Sequence, residues 1–481
     1  MKNIKYSDIF SILLLIQAIW IIGLGISNSD IHNLISVDTT LIIFTFCCLL
    51  SFFLHFSTRA NNPLVLTLIY HLIIYYFLRI ISIQYFEYST VFDRFSGIRE
   101  YHVFEGVLIL IASIASIFFG WYLAQITTNS KREVQNYDTL PFNRIYTIIL
   151  FYGVSIGLKL LVNHTALSNY FIIDKFSVFL FEPTILFFPI LIYFTITNFV
   201  QKKALVLFIF LFMFYLLYSV TYFGTRGDLI YLIESGFFIL LASNKLSIKR
   251  SLFWSMIVIL PLTIVIAVNL YVFATLQRQV ILNQNVQSSN IMTQFIQEYS
   301  SINFSYFISH AAARIGSFDY TIEILANKNK YEDIFNFDYY SQAIVDNVLT
   351  PSYDVYDTPR VSQSLVFNYS DLNNSFKSRK FLSLEDSAHS DEITIIAEAH
   401  MLIGWASTVF FFLISFFITK IYNTNFKNNF KNVLIKSLIL LFVSKAFHSF
   451  GLDWLLVDFV KYLFVLIPFY LIFFCHMRIA K

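Results

Sequence analysis

Glu398 and His400 stand in the stretch Ile396-Ala-Glu-Ala-His-Met-Leu-Ile-Gly404, where a polar segment gives way to a long apolar run. An ionised carboxylate only accepts hydrogen bonds, so Glu398 is suited to orient or deprotonate a hydroxyl, or to pair with an arginine. His400 is the second candidate for the same proton transfer. Two residues along a helix is about 200° of rotation, so the two side chains do not share a face. A second stretch, Tyr222-Phe-Gly-Thr-Arg-Gly-Asp228, sets Arg226 between two glycines. Small neighbours let the backbone approach a bulky anion while the guanidinium makes two-point contacts to phosphate; a plain turn with an interfacial arginine would read the same way.

These residues sit in a chain whose composition excludes an ordinary soluble domain. Of 481 residues, 57% are hydrophobic, 19% aromatic and only 13% charged, too few to cover a normal polar surface. A formal net charge of +3, with Lys and Arg spread along the chain, argues against a nucleic-acid partner. Cys47, Cys48 and Cys475 fall in or at the end of apolar runs, with neither a disulfide framework nor a metal-ligand spacing, so no metal or cofactor is implied. Lys2 and Lys5 precede an apolar run that continues for about a full span without a small-residue cleavage site, which reads as a permanent first helix.

Crossing the hydrocarbon takes roughly 20 apolar residues. Twelve runs fit: 9–26, 40–56, 64–83, 103–126, 145–161, 178–200, 204–223, 229–241, 252–276, 393–418, 433–450 and 455–474, the eighth being short and containing Glu234. The expected fold is an all-α polytopic membrane protein of about 12 transmembrane helices. It divides into residues 1–277 with spans one to nine, a large loop over 278–392 between helices 9 and 10, and residues 393–481 with the last three spans. With the N-terminus inside, every inside link is basic (Arg59; Lys131, Arg132 and Arg144; Lys202 and Lys203; Lys245, Lys249 and Arg250; Lys420, Lys427 and Lys431), and the tail adds Arg478 and Lys481. The outside links are acidic or balanced. That pattern puts both termini in the cytoplasm and the long loop in the periplasm of a bacterium.

A loop of this length inside a compact protein calls for a job. Helical spacing covers 291–309 and 311–327, a third helix fits 331–349, and the turn-rich Pro351-Ser-Tyr-Asp-Val-Tyr-Asp-Thr-Pro-Arg360 leads into a polar stretch over 370–391. Charge inside hydrocarbon is costly and faces a protein interior or an aqueous cavity. Arg79, Glu105, Lys159, Glu182, Arg226, Asp228, Glu398, His400, Lys445, His448, Asp453 and Lys461 all map to the outer half or outer end of their spans, with His71 an exception and Glu234 another if the short eighth span starts early enough. A hydrated cavity beneath the loop accounts for the one-sided set, and snorkelling at helix ends accounts for individual members.

The Gly-Thr-Arg226-Gly element, the loop sequence Ala-Ala-Arg314-Ile-Gly, the long outside loop late in a twelve-helix chain and the closing Glu398…Gly404 together resemble the bacterial O-antigen or polysaccharide repeat-unit polymerases of the Wzy type. One large outside loop stands where one branch of that family has two, which speaks against a catch-and-release scheme between loops. The resemblance implies glycosyl transfer at the periplasmic face of the inner membrane, moving a growing glycan from undecaprenyl diphosphate onto the non-reducing end of an incoming undecaprenyl-diphosphate-linked repeat unit. It implies Arg226, Arg278 and Arg314 for the diphosphate, Glu398 and then His400 for the acceptor hydroxyl, and Asp319 and Arg360 for sugar contacts. Membrane lipid, a chain-length regulator and a flippase of the same pathway are the implied partners. Two other classes compete: an O-antigen ligase, which shares the reaction type, and a lipid-linked oligosaccharide flippase or transporter, which would show repeated halves that this sequence lacks.

Overall fold

The computed structural model describes residues 3–26, 36–57, 62–78, 80, 100–128, 145–164, 182–197, 201–219, 227–243, 247–249, 317–326, 328–346, 355–356, 358, 394–424, 430–448 and 452–474. They are mostly helical. A helix falls on each expected span except 252–276, which lies outside the described residues. We number them α1 (Tyr6–Ile26), α2 (Val37–Phe56), α3 (Pro63–His71, continued by a π-helical stretch Leu72–Phe77), α4 (Glu100–Thr127), α5 (Ile145–His164), α6 (Pro183–Ile196), α7 (Lys202–Tyr218) and α8 (Gly227–Ala242). From the loop come α9 (Ser317–Ala326) and α10 (Phe337–Ile344), and after it α11 (Ile395–Ile403), α12 (Ser407–Thr424), α13 (Phe430–His448) and α14 (Leu452–Phe474). Among the described residues, five stretches are long and apolar enough to cross a membrane: Tyr6–Gly23, Val37–Phe56, Glu100–Thr127, Ile145–Val162 and Ile395–Asn423.

Helices apolar on every side belong either in a core or against lipid. The short α6 is buried along nearly its whole length, as is α3 with its π-helical continuation, so these form the interior. By contrast α1, α2, α4, α5, α7 and α12 expose large apolar side chains such as Ile19, Phe52, Phe119, Leu150, Phe210 and Phe417, a surface suited to hydrocarbon rather than water. The polar α13 lies in the middle: it packs on α3, α6, α8, α11, α12 and α14. Its buried Lys436, Ser437, Ser444 and Lys445 are tolerated because protein, not lipid, surrounds them.

α4 and α12 lie together with backbone-to-backbone intimacy. A Cβ on Gly120 would collide with the Phe412 carbonyl oxygen, and Ser415 donates its hydroxyl to the Ile117 carbonyl at 2.7 Å. Small residues permit such close crossings within membranes. Residues Asn3–Lys5 (β1) and Ser247–Lys249 (β2) form a short antiparallel pair, with Ile4 opposite Ile248. This holds the start of α1 beside residues 247–249, which follow α8.

Two features depart from a plain reading of the sequence. The tenth span is broken: α11 ends at Gly404, whose φ of 58° and ψ of −141° suit glycine alone, and a 3-10 turn over Gly404–Ala406 separates it from α12. The third loop helix is shorter than the 331–349 stretch, because residues 331–336 form turns before Asn336 accepts from the Tyr339 amide and starts α10. The loop helices also join the bundle's own core. Ile322, Ile324, Tyr331, Phe335 and Tyr340 belong to the same buried cluster as the membrane helices, with α9 packed on α4, α11 and the π-helical stretch and α10 on α14.

Candidate functional site

α11 begins where the loop rejoins the bundle. Thr394 caps it, its hydroxyl accepting from the Ala397 amide at 3.3 Å and sharing a hydrogen bond with the Thr321 hydroxyl of α9 at 3.2 Å. One turn on, Glu398 is 1% exposed. The Tyr340 hydroxyl of α10 donates to its Oε1 at 2.7 Å, and the Leu452 amide donates to its Oε2 at 2.7 Å. That amide is the first of α14 and has no partner within its own helix, so Glu398 caps α14 from another helix while holding the loop. A buried carboxylate is tolerated when hydrogen-bonded in this way, and both oxygens face donors rather than lipid.

His400 is buried against the edge of Trp405, with ring centroids 5.4 Å apart at 87°, and its Nδ1 has no hydrogen-bond partner among the described residues. Its neighbours differ from those of Glu398, as the 200° separation required. Asp346, just past α10, accepts from the amides of Val355 at 2.9 Å and Thr358 at 2.8 Å and also from Tyr356, folding the turn-rich segment back onto α10. Thr358 donates its hydroxyl to Gln342 at 3.3 Å, tightening the same fold.

A second polar centre lies inside the bundle on α8. Glu234 accepts from the hydroxyls of Tyr75 at 2.9 Å, Tyr70 at 3.2 Å and Ser444 at 3.4 Å. Tyr70 and Tyr75 are five residues apart, which on an α-helix would point them about 140° from each other. The π-helical widening after His71, with its i→i+5 repeat, brings both onto one face. His71 stacks on Tyr75 at 5.2 Å. Next to Ser444, Lys445 forms an ion pair with Asp458 of α14 and lies 5.2 Å from the Tyr462 ring centroid. Glu182, at the start of α6, accepts from Lys159 at 2.9 Å and Thr184 at 3.0 Å, and Lys461 acts on it electrostatically.

The ionisable residues singled out in the sequence therefore divide. Glu398 and His400 lie on one short helix under the loop; Glu234, Lys445, Glu182, Lys159 and Lys461 line a polar seam through α5, α6, α8, α13 and α14; and Glu105 is exposed on α4. Arg226, Arg278, Arg314, Arg360 and Arg79 lie outside the described residues. The backbone of Asp319 belongs to α9, and its side chain, like those of Asp228, His448 and Asp453, lies outside them too. Asp458 carries the same signal as the outer set, an acid within an apolar run, and belongs with it. Lys436 sits toward the opposite end of α13, its ammonium 5.3 Å from the Tyr422 ring centroid, and adds to the exceptions that began with His71. Tyr340 had no sequence signal, being one tyrosine of 30. No family model, no curated protein and no solved structure matches the chain.

Proposed function

We propose that this chain polymerises lipid-linked oligosaccharide repeat units at the periplasmic face of a bacterial inner membrane, as a glycosyltransferase with both termini in the cytoplasm. The observation that carries the reading is the placement of Glu398, a buried carboxylate where the long loop, the broken helix and the start of α14 meet. The Tyr340 hydroxyl at 2.7 Å holds the position on Oε1 that an acceptor sugar hydroxyl takes up for proton transfer. In the reaction the acceptor oxygen bonds to the anomeric carbon, the bond from that carbon to the undecaprenyl diphosphate breaks, and the hydroxyl proton passes to Glu398. Arg226, Arg278 and Arg314 are the residues assigned to the diphosphate that leaves, where planar two-point contacts stabilise developing charge better than lysine would. Asp319 and Arg360 are assigned to sugar contacts. A flippase and a chain-length regulator are the natural partners in such a pathway.

The polar seam through α8, α13 and α14 is the observation favouring a second reading, transport of the lipid-linked unit. One experiment separates the two. Glu398→Gln keeps the shape and one acceptor oxygen but removes the charge. Cells carrying it are expected to attach single repeat units to the final acceptor and to lose the long-chain ladder. Units trapped on the cytoplasmic side would instead indicate transport, and long polymer left on the lipid carrier would indicate a ligase. A normal ladder would remove Glu398 from the mechanism.

A further inference from the structure

Between α3, α4, α12, α13 and α14 lies a cavity of about 650 Å³, a size ordinary for a site that holds a ligand. Along α13 its wall runs from Ile435 to Phe447, about 18 Å at 1.5 Å per residue. Its lining is almost wholly hydrocarbon. Of the few polar groups, the Ser415 hydroxyl is already given to the Ile117 carbonyl. Water held there would find no set of partners, so the occupant is apolar.

Two of the wall residues, Phe459 and Leu463, are 46% and 36% exposed, so the cavity wall continues onto the apolar outside of α14 and a chain can enter sideways from the bilayer. Its lining also includes Ile395 and Leu452. Leu452 is the residue whose amide is bound to Glu398, and Ile395 opens the helix that carries Glu398. The cavity thus opens to lipid at α14 and adjoins the two helix starts that Glu398 joins. A lipid-linked sugar with its tail seated here has its head group beside Glu398, where the proposed reaction needs it.

We infer that this cavity holds the hydrocarbon tail of the lipid-linked substrate and presents its head group at Glu398. The inference rests on the reading above for the identity of the lipid, but its test does not depend on turnover. The full-length protein in nanodiscs is irradiated with a polyprenyl phosphate bearing a tail diazirine, and the labelled peptides are mapped. Label is expected on α13 and α14 between Leu438 and Phe459, displaced by unlabelled polyprenyl phosphate more strongly as its tail lengthens. Leu438→Trp, which fills the cavity, is expected to reduce labelling about tenfold, the equivalent of roughly 1.4 kcal/mol of tail affinity. Because that variant could misfold, the tail-length dependence in the unaltered protein stands as an independent measurement. Label on other helices, no dependence on tail length, or equal labelling of the same peptides by a phospholipid with an acyl-chain diazirine would overturn the inference. Label in the cavity with no polymer formed would leave it standing and reject the polymerase reading; polymer formed with label elsewhere would do the reverse.

Discussion

At the scale of single residues the decisive contacts are the two hydrogen bonds that described residues give to Glu398. One donor is a phenol and the other a backbone amide, and they lie 58 and 54 residues away along the chain. Tyr340→Phe removes the first and leaves a buried carboxylate one donor short. Hydrogen bonds to charged groups contribute about 1.5–3 kcal/mol, so the thermal unfolding midpoint of the purified protein should fall. The ladder should nonetheless persist, since the acceptor hydroxyl takes the place Tyr340 vacates, whereas Glu398→Gln abolishes it. Loss of the ladder in Tyr340→Phe with an unchanged midpoint would make the phenol itself part of the chemistry. Glu398 was legible because an acid at the edge of an apolar run is costly unless served by partners. Its partners were not: a lone tyrosine in a polar loop and a main-chain amide carry no mark in sequence.

Among the elements, the broken tenth span matters most to the site. Hydropathy averages over a window and registers 395–423 as one continuous run, and only the backbone torsions show the interruption at Gly404. The break lets α11 turn independently of α12, so that Thr394 and Glu398 can meet the loop while α12 stays packed along α4. Gly404→Ala puts a Cβ on a left-handed residue and should cost roughly 1–3 kcal/mol of strain. We expect a lower unfolding midpoint together with reduced polymer length, even though the substituted side chain meets nothing within 4 Å. An unchanged midpoint would mean that the two helices can realign at no cost. The π-helical stretch after His71 is a similar case. Its apolar residues read as ordinary helix, yet the widened turn is what lets Tyr70 and Tyr75 both reach Glu234.

For the whole molecule, the pairing of β1 with β2 makes the topology testable. Directly opposed residues of an antiparallel pair have Cα atoms about 4.5–5.5 Å apart, within reach of a disulfide. Ile4→Cys with Ile248→Cys should therefore crosslink under mild oxidation, and failure would break the pairing that holds the start of α1 beside residues 247–249. Sidedness is a separate matter. Cysteines at Ser364 or Ser387 should react with an impermeant reagent from the periplasm. Protection of both would remove the outer site, and the proposed reaction with it, because the lipid-linked substrate is expected on that face.

The all-α membrane character was determined by sequence alone, because twenty or so apolar residues in a row have few other stable fates and the composition forbids a water-facing surface. Helix positions followed from the same runs: described helices fall on all of them but 252–276, which lies outside the described residues. The marking of Glu398 and Glu182 as members of one polar set followed from the cost of charge in hydrocarbon. What the tertiary structure decided is which of these meet. Glu398 belongs with the loop, Glu234 and Lys445 with the seam on α13, and the short helices α3 and α6 with the interior rather than the lipid face. None of this is periodic or local, since it depends on contacts between residues far apart along the chain and on backbone groups whose chemistry is the same at every position.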